Sequence, residues 1–367
     1  MQIPEQMKRS IYFIVLDFTI TGGVERVASN FAKYFASNDN YQFTIISVFK
    51  KNSCPAYHLP DSVKVKYLIG NGFYDGRNIK RKIQSNWKMM RAFSKLSFSK
   101  NDVVISNMAG CSDFMCFYRK KNNGKLICFE HTYHGVFNKF STLVKRILFK
   151  RADCIVTLTK SEREYYAKIA TLAVCIPNAL TYAPPIGEEV VRKKRVISAG
   201  RLSWEKGYFN LLDNYAVLAN KNRNFDFVIF GSGDLKKELE EKVSSMPSNV
   251  KLYDSTPKLK EELLSSYLFV SSSTTEAFPM VMLEAMACGL PIVSFDCPCG
   301  PREIIEDGKN GKLIKTGDNE AFINAVQKYI DDSALWSCSS SFSVELSKQY
   351  LPELIYKQWI DLLEDLN

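Results

Sequence analysis

Short apolar runs alternate along this chain with longer stretches in which apolar residues return every three or four positions. Ile11 to Asp17 reads as a strand, and Val24 to Ser37 as a helix with Val24, Val27, Phe31 and Phe35 on one face. Further strands fall at Phe43 to Phe49, Val63 to Leu68, Val103 to Asn107, Lys125 to Glu130 and Cys154 to Thr159. Ile176-Pro177-Asn178 closes this half, and Pro184 and Pro185 mark a linker running from Thr181 to Gly187. The pattern then restarts. Strands are predicted at Arg195 to Ala199, Phe225 to Phe230, Val250 to Tyr253, Tyr267 to Ser272 and Pro291 to Phe295. Helices are predicted at Tyr208 to Asn220 and Asp234 to Ser245, and from Trp336 to Asn367, of which Pro352 to Leu366 is amphipathic. Regular strand–helix alternation means α/β domains wound on both faces of a parallel sheet. There are no internal repeats and no low-complexity tract.

Length and charge refine that picture. The chain has 367 residues, which suits two α/β cores of roughly 170 each rather than one. The expected layout is an N-terminal domain over residues 1–180, a linker over 181–190, and a second domain over 191–351, with a final helix at 352–367. No run of about 18 uncharged apolar residues is present to span a bilayer. Met1 to Ser10 is polar, so the short run from Ile11 reads as a buried strand and not a signal peptide. The ten cysteines are scattered through apolar runs without zinc spacing, which fits reduced thiols in a cytoplasm.

Residues 1–190 hold 28 Lys+Arg against 14 Asp+Glu, whereas residues 191–367 hold 21 against 25. The excess gathers in Arg77 to Lys100, eight cations with no acid, interleaved with Trp87, Phe93 and Phe98. A second acid-free cluster runs from Lys139 to Arg151 around Leu143, Val144, Ile147, Leu148 and Phe149. Cations above apolar stripes suit an anionic membrane surface. No nucleic-acid-binding motif accompanies them, so no nucleic acid is expected as a partner.

The most telling segment is Thr275-Glu276-Ala277-Phe278-Pro279-Met280-Val281-Met282-Leu283-Glu284. Pro279 suits a helix start, and Gly289 supplies a stop. Glu276 then sits on the loop above the sheet and Glu284 on the helix's second turn. The free amides of Met280 and Val281 make a positive helix end between them. Acceptors flanking an anion site suit a ligand with hydroxyls at both ends and phosphates in the middle, as in a nucleotide sugar. Arg201 and Lys206 follow another strand end, where a turn between Gly200 and Gly207 aims both at one diphosphate. No Asp-x-Asp occurs, so the usual carboxylate cradle for a divalent ion is missing. Neutralisation of a leaving diphosphate falls to the protein's own groups, and no metal or other cofactor is expected. Gly231-Ser232-Gly233 lacks the third glycine of a dinucleotide fingerprint, since Lys236 stands there.

Residues 196–311 resemble the nucleotide-binding half of the retaining glycosyltransferases of family 4. The matching pieces are Gly200-Arg201-Leu202-Ser203-Trp204-Glu205-Lys206-Gly207, Phe230-Gly231-Ser232-Gly233, the Glu276–Glu284 pair and Gly300-Pro301-Arg302-Glu303-Ile304-Ile305. Pro301 departs from the pair of glycines common there. The N-terminal half resembles the family more loosely, through Gly22-Gly23-Val24-Glu25-Arg26, Glu130-His131 and Ile176-Pro177-Asn178. The resemblance implies the GT-B arrangement: two Rossmann-like domains facing each other across a cleft, the last helix crossing back onto the first. It also implies roles. Glu276 would hold the transferred sugar and steady charge at its anomeric carbon, with His131, Arg201 and Lys206 completing the catalytic set. Gly22, Gly23, Phe278, Pro279, Met280, Val281 and Glu284 would bind the donor, Glu284 through the ribose hydroxyls. His134 is a weaker candidate.

The resulting expectation is a retaining transferase that moves a hexose or N-acetylhexosamine from a nucleotide-diphosphate sugar, UDP preferred. The acceptor is a glycan or polyprenyl-linked sugar in bacterial surface-polysaccharide assembly, such as lipopolysaccharide or capsule. The place is the cytoplasm, at the inner membrane face. A sugar-nucleotide epimerase or hydrolase on the same double fold is the alternative. A non-catalytic membrane adaptor would not need Arg201, Lys206, Glu276 and Glu284 together.

Overall fold

A computed structural model describes residues 8–70, 79–119, 123–185 and 190–366. Arg77 of the basic stretch, the first seven residues and the end of the predicted linker lie outside that set. The chain divides into two compact units, residues 1–178 with 355–367, and residues 179–354.

The first unit runs β1 (Arg9–Asp17), α1 (Gly23–Ala36), β2 (Tyr41–Phe49), β3 (Lys64–Tyr67), α2 (Ile79–Phe93), β4 (Val103–Asn107), α3 (Ala109–Phe117), β5 (Lys125–Glu130), α4 (Lys139–Leu148), β6 (Cys154–Thr157), α5 (Lys160–Tyr166) and β7 (Ala173–Cys175). Its seven strands are ordered β3-β2-β1-β4-β5-β6-β7. Every pairing is parallel, with Phe13 level with Ile45 on one side and Ile105 on the other. A sheet covered on both faces needs strands that are apolar throughout, and β4 (Val-Val-Ile-Ser-Asn) is buried along its whole length.

The second unit comprises β8 (Arg195–Ala199), α6 (Tyr208–Lys221), β9 (Asp226–Phe230), α7 (Lys236–Ser244), β10 (Val250–Tyr253), α8 (Leu259–Leu264), β11 (Leu268–Ser271), α9 (Met280–Ala287), β12 (Ile292–Asp296), α10 (Pro301–Ile304), β13 (Gly311–Lys315), α11 (Asn319–Asp331) and α12 (Ser333–Ser347). Its order is β10-β9-β8-β11-β12-β13, again all parallel. Both sheets reverse direction of growth beside their first strand, the Rossmann-like topology. That switch point is where such sheets bind ligands, and in the second unit it lies between β8 and β11.

The predicted continuous terminal helix is corrected. Helix α12 starts earlier, at Ser333, and the chain breaks at Leu351 before α13 (Pro352–Asp365). Proline cannot continue a preceding helix but opens the next one well. Helix α13 lays Trp359, fully buried, edge-on against Phe31 of α1 and Phe129 of β5, at 4.9 Å each. Tyr356 stacks on Tyr34 at 4.3 Å. The last helix is thus part of the first unit's core. Phe93 and Phe98 are corrected too: both are buried in that core and take no part in an exposed basic face.

Removing the indole should open a large cavity. We expect Trp359→Ala to cost about 3–5 kcal/mol of stability by urea denaturation. A loss under ~1 kcal/mol would show that α13 contributes little to the fold.

Candidate functional site

The site in the second unit is built from two loops that follow neighbouring strands. After β8, Gly200 leads into a single 3-10 turn, Trp204–Lys206, which ends at Gly207. After β11, a polar run from Ser272 leads to Glu276 and then to α9. Gly207 joins them. Its φ is +66°, a left-handed conformation that favours glycine, and a Cβ there would come within 2.2 Å of the Ser272 carbonyl oxygen. The close approach is then laced by hydrogen bonds. Ser272 Oγ donates to the carbonyls of Lys206 (2.9 Å) and Gly207 (3.1 Å), and the Thr274 amide donates to the Glu205 carbonyl (2.8 Å).

That lacing sets the charges. Lys206 Nζ lies 2.5 Å from Glu276 Oε1, and Ser273 Oγ donates to the same oxygen at 2.8 Å. Both charged side chains are largely withdrawn from solvent, at 21% and 12% exposure. They line one pocket with Ser198, Ala199 and Tyr208 on one side and Ser271 to Ser273, Pro279, Val281 and Met282 on the other. Pro279 is the N-cap of α9, and its carbonyl receives the amides of Met282 and Leu283. The amides of Met280 and Val281 come before the first helical hydrogen bonds and belong to the positive end of the helix. A carboxylate, an ammonium and a helix N-terminus therefore meet at the switch point of the sheet.

The other candidates fall in different places. Arg201 is exposed and is not among the residues lining that pocket, so the turn does not aim both cations together. Glu284 is buried on α9, where its Oε1 accepts from Thr181 Oγ1 at 2.9 Å; it does not line the pocket either. The Phe278 ring is core, packed 5.9 Å from Tyr350, which leaves its backbone as the part able to meet a ligand. Met280 is half-buried.

In the first unit, Gly22 caps α1 in an extended conformation, and its carbonyl accepts from Tyr57 Oη at 3.1 Å. A Cβ at Gly23 would meet nothing within 4 Å, so packing does not demand glycine there. His131 follows β5 directly, its ring 4.1 Å from that of Phe129. The residue is half-buried, but its Nε2 is sealed from water with no partner among the described residues. Desolvation pulls its pKa down to about 3, so the imidazole is neutral. His134 instead stacks on Tyr165 at 3.8 Å, with Nδ1 2.7 Å from Glu162.

Sequence reasoning missed Ser272, Ser273 and Thr181, which hold the loop and the two glutamates. The run of serines after an apolar strand was the available signal. It also missed that Lys145, inside the second basic cluster, points inward. Its ammonium sits 3.3 Å from Glu130 and 3.5 Å from Asp113, and although burial opposes it, those carboxylates raise its pKa.

Known proteins share this architecture. The Glycosyltransferase Family 4 model matches residues 21–181, and the Glycosyl transferases group 1 model matches residues 184–340. The chain is a glycosyltransferase of the GT-B type. The amylovoran biosynthesis glycosyltransferase AmsD of Erwinia amylovora is 26% identical over 359 residues, covering 94% of this chain and 96% of the relative. A Campylobacter jejuni enzyme is 25% identical over 362 residues, covering 97% and 98%. Its name describes an α-1,4-N-acetyl-D-galactosaminyltransferase acting on a diphosphoundecaprenol-linked glycan. The pneumococcal O-GlcNAc transferase GtfA, solved with UDP and GlcNAc, superposes with a TM-score of 0.78 at 16% identity over 98% of this chain and 99% of its own. This GT-B glycosyltransferase thus shares its fold with a protein seen holding a nucleotide and a sugar. Among its described residues no helix is long and apolar enough to cross a membrane.

The neutral His131 has a testable consequence. An unfolded histidine takes up a proton near pH 6.5 while the folded one stays neutral to about 3. Its contribution to stability is present above 6.5 and is lost as pH falls from there toward 3. The His131 ring resonances should stay constant from about pH 8 to pH 5. The loss of stability with falling pH should be shallower in His131→Phe. A ring that titrates near 6.5 would show that Nε2 is hydrated.

Proposed function

We propose that this chain transfers a hexose or N-acetylhexosamine from a nucleotide-diphosphate sugar, UDP preferred, to a glycan or polyprenyl-linked acceptor. Bacterial surface-polysaccharide assembly at the inner face of the membrane is the setting that fits the relatives' names. The observation that carries the reading is the contact between Lys206 and Glu276 at the N-terminus of α9. A diphosphate placed at that helix end would meet the Lys206 ammonium and the amides of Met280 and Val281. Glu276, beside it, would accept hydrogen bonds from the sugar hydroxyls.

The reaction that fits is substitution with retention. The bond from the anomeric carbon to the phosphate oxygen breaks, and the acceptor oxygen bonds on the face the phosphate leaves. The acceptor's proton passes to the departing phosphate oxygen. Positive charge that grows on the anomeric carbon is stabilised by the Glu276 carboxylate, and negative charge on the diphosphate by Lys206 and the helix end. Exposed Arg201 joins them by closing on the donor's phosphates. Glu284, buried beside Thr181, takes the ribose hydroxyls. His131, Gly22 and Gly23 keep the roles that the family pattern gives them, with a neutral His131 donating or accepting a hydrogen bond at the sugar. Phosphate neutralisation by fixed groups makes the transfer independent of a metal ion, in keeping with a sequence that has no Asp-x-Asp.

Glu276→Gln keeps the shape and removes the charge. Turnover should fall by roughly 10²–10³-fold, with a much smaller change in UDP affinity. In the same assay, wild-type activity should survive excess chelator. Unchanged turnover in the variant would remove Glu276 from the mechanism, and activity lost to chelator and restored by magnesium would refute metal independence.

A further inference from the structure

Thr159-Lys160-Ser161-Glu162 opens α5 with the spacing of a capping box, and Thr159 Oγ1 accepts the Glu162 amide at 3.3 Å. A glutamate in a first helical turn ordinarily faces water. The Glu162 side chain is only 6% exposed, and both of its carboxylate oxygens reach the loop that follows β5. Oε2 accepts the His134 backbone amide at 3.0 Å, and Oε1 lies 2.7 Å from Nδ1 of the same residue. Glu130 and Thr157 are level in the β5–β6 register, so the two loops leave the sheet side by side.

The loop is held on its other sides as well. His134–Val136 forms a 3-10 turn, with the amides of Val136 and Phe137 donating to the carbonyls of Tyr133 and His134. Gly135 lets the Tyr133 ring fold over that turn, since a Cβ there would come within 2.4 Å of it. The His134 ring stacks on Tyr165, 3.8 Å between centroids and 11° from parallel. One ring face is thus taken by a tyrosine and Nδ1 by a carboxylate. The side chain keeps 30% exposure, and Nε2 is the nitrogen left to meet a ligand.

Proton bookkeeping then fixes what Nε2 offers. A carboxylate only accepts, so in its neutral form the ring carries its hydrogen on Nδ1 and turns a lone pair outward at Nε2. The Glu162 charge behind the ring offsets any charge the imidazole takes up, which disfavours an anionic ligand. A hydroxyl fits, because it can donate to that lone pair. Half-buried Tyr133 and Tyr165 border the ring on the same edge, their centroids 4.8 and 3.8 Å from it. A sugar supplies both partners, hydroxyls for the nitrogen and C–H faces for the aromatic rings. The C-terminal ends of the strands are also where α/β sheets hold their ligands.

We propose that Glu162 is a positioning residue that locks His134 in the Nδ1–H tautomer, so that Nε2 accepts a hydrogen bond from a sugar hydroxyl. The hydroxyl it reads is not the one that attacks, whose proton goes to the departing phosphate. This deepens the proposed transfer reaction and rests on it for the identity of the ligand as a sugar. Glu162→Gln isolates the claim. The His134 backbone amide can only donate, so it commits the new side chain's oxygen and leaves the NH2 facing Nδ1. The ring must then move its hydrogen to Nε2 while the loop keeps its contacts.

The experiment is nitrogen-15 NMR of the imidazole rings of the full chain at about pH 8, where a histidine of ordinary pKa is neutral. Only three histidines have to be assigned. His134 should carry its hydrogen on Nδ1 in the unaltered chain and on Nε2 in Glu162→Gln, with both proteins folded by melting temperature. A donor arm adds UDP-glucose, UDP-galactose and their N-acetylhexosamine counterparts; an acceptor arm adds UDP with the methyl glycosides of the same sugars. At least one sugar should move the Nε2 resonance, and UDP alone should not. Affinity for that sugar should fall roughly three- to tenfold in Glu162→Gln, with UDP affinity unchanged. His134→Phe, which keeps a ring against Tyr165, should show the same loss and carries the comparison if the first variant does not fold. An Nε2 that bears the hydrogen in the unaltered chain, or that responds to no sugar or equally to UDP alone, would overturn the proposal. So would equal losses of sugar and UDP affinity, which would mark a general effect on the fold. Failure of UDP to bind at all would sink the transfer reading, and the methyl glycosides would still decide this one.

Discussion

Glycine at position 207 is the constraint on which the site depends. Its left-handed φ and its lack of a Cβ, which would come within 2.2 Å of the Ser272 carbonyl oxygen, allow the loop after β8 to lie directly on the loop after β11. Any side chain there would force the loops apart. With them in contact, Ser272 and Thr274 close hydrogen bonds across the join, and Lys206 is delivered to Glu276. An ammonium and a carboxylate that would interact weakly in water are thereby held partly out of it, where each is polarised by the other and by the end of α9. On the proposed reading, groups held in this way need little rearrangement as charge develops on a bound substrate.

The two glutamates illustrate how one helix can give two environments to the same residue type. Glu276 lies before Pro279, on a loop, and faces the pocket. Glu284 lies on the second turn of α9, a helix buried nearly all round, and its burial is offset by a hydrogen bond from Thr181. On the proposed reading, one acid handles the transferred sugar and the other the ribose. The same reading requires exposed Arg201 to move toward the pocket with a donor bound, whereas Lys206 already lines it.

Much of the fold was legible because both sheets are parallel and buried, which writes each inner strand as a nearly continuous apolar run. Strand β4 and strand β12 are examples. The glycine-bounded turn at 200–207 and the proline before α9 were legible as well, since φ constraints belong to single residues. What stayed hidden depends on tertiary placement. Phe93 and Phe98 sit among lysines in the sequence but point into the core, and Lys145 sits among apolar residues and points inward to Glu130 and Asp113. Spacing within one helix cannot show which strand end supplies the partner. The break at Leu351 was missed because helical composition continues on both sides of Pro352.

Glu276 and the end of α9 are in place beside Lys206, so the lysine's contribution to phosphate binding can be isolated. The direct measurement is UDP affinity by calorimetry, without divalent ions, for the unaltered chain and for Lys206→Met. If fixed positive groups hold the diphosphate, the variant should bind roughly 10- to 150-fold more weakly, the worth of one charge-assisted contact. An affinity unchanged by the substitution, or one that appears only when a divalent ion is added, would contradict it.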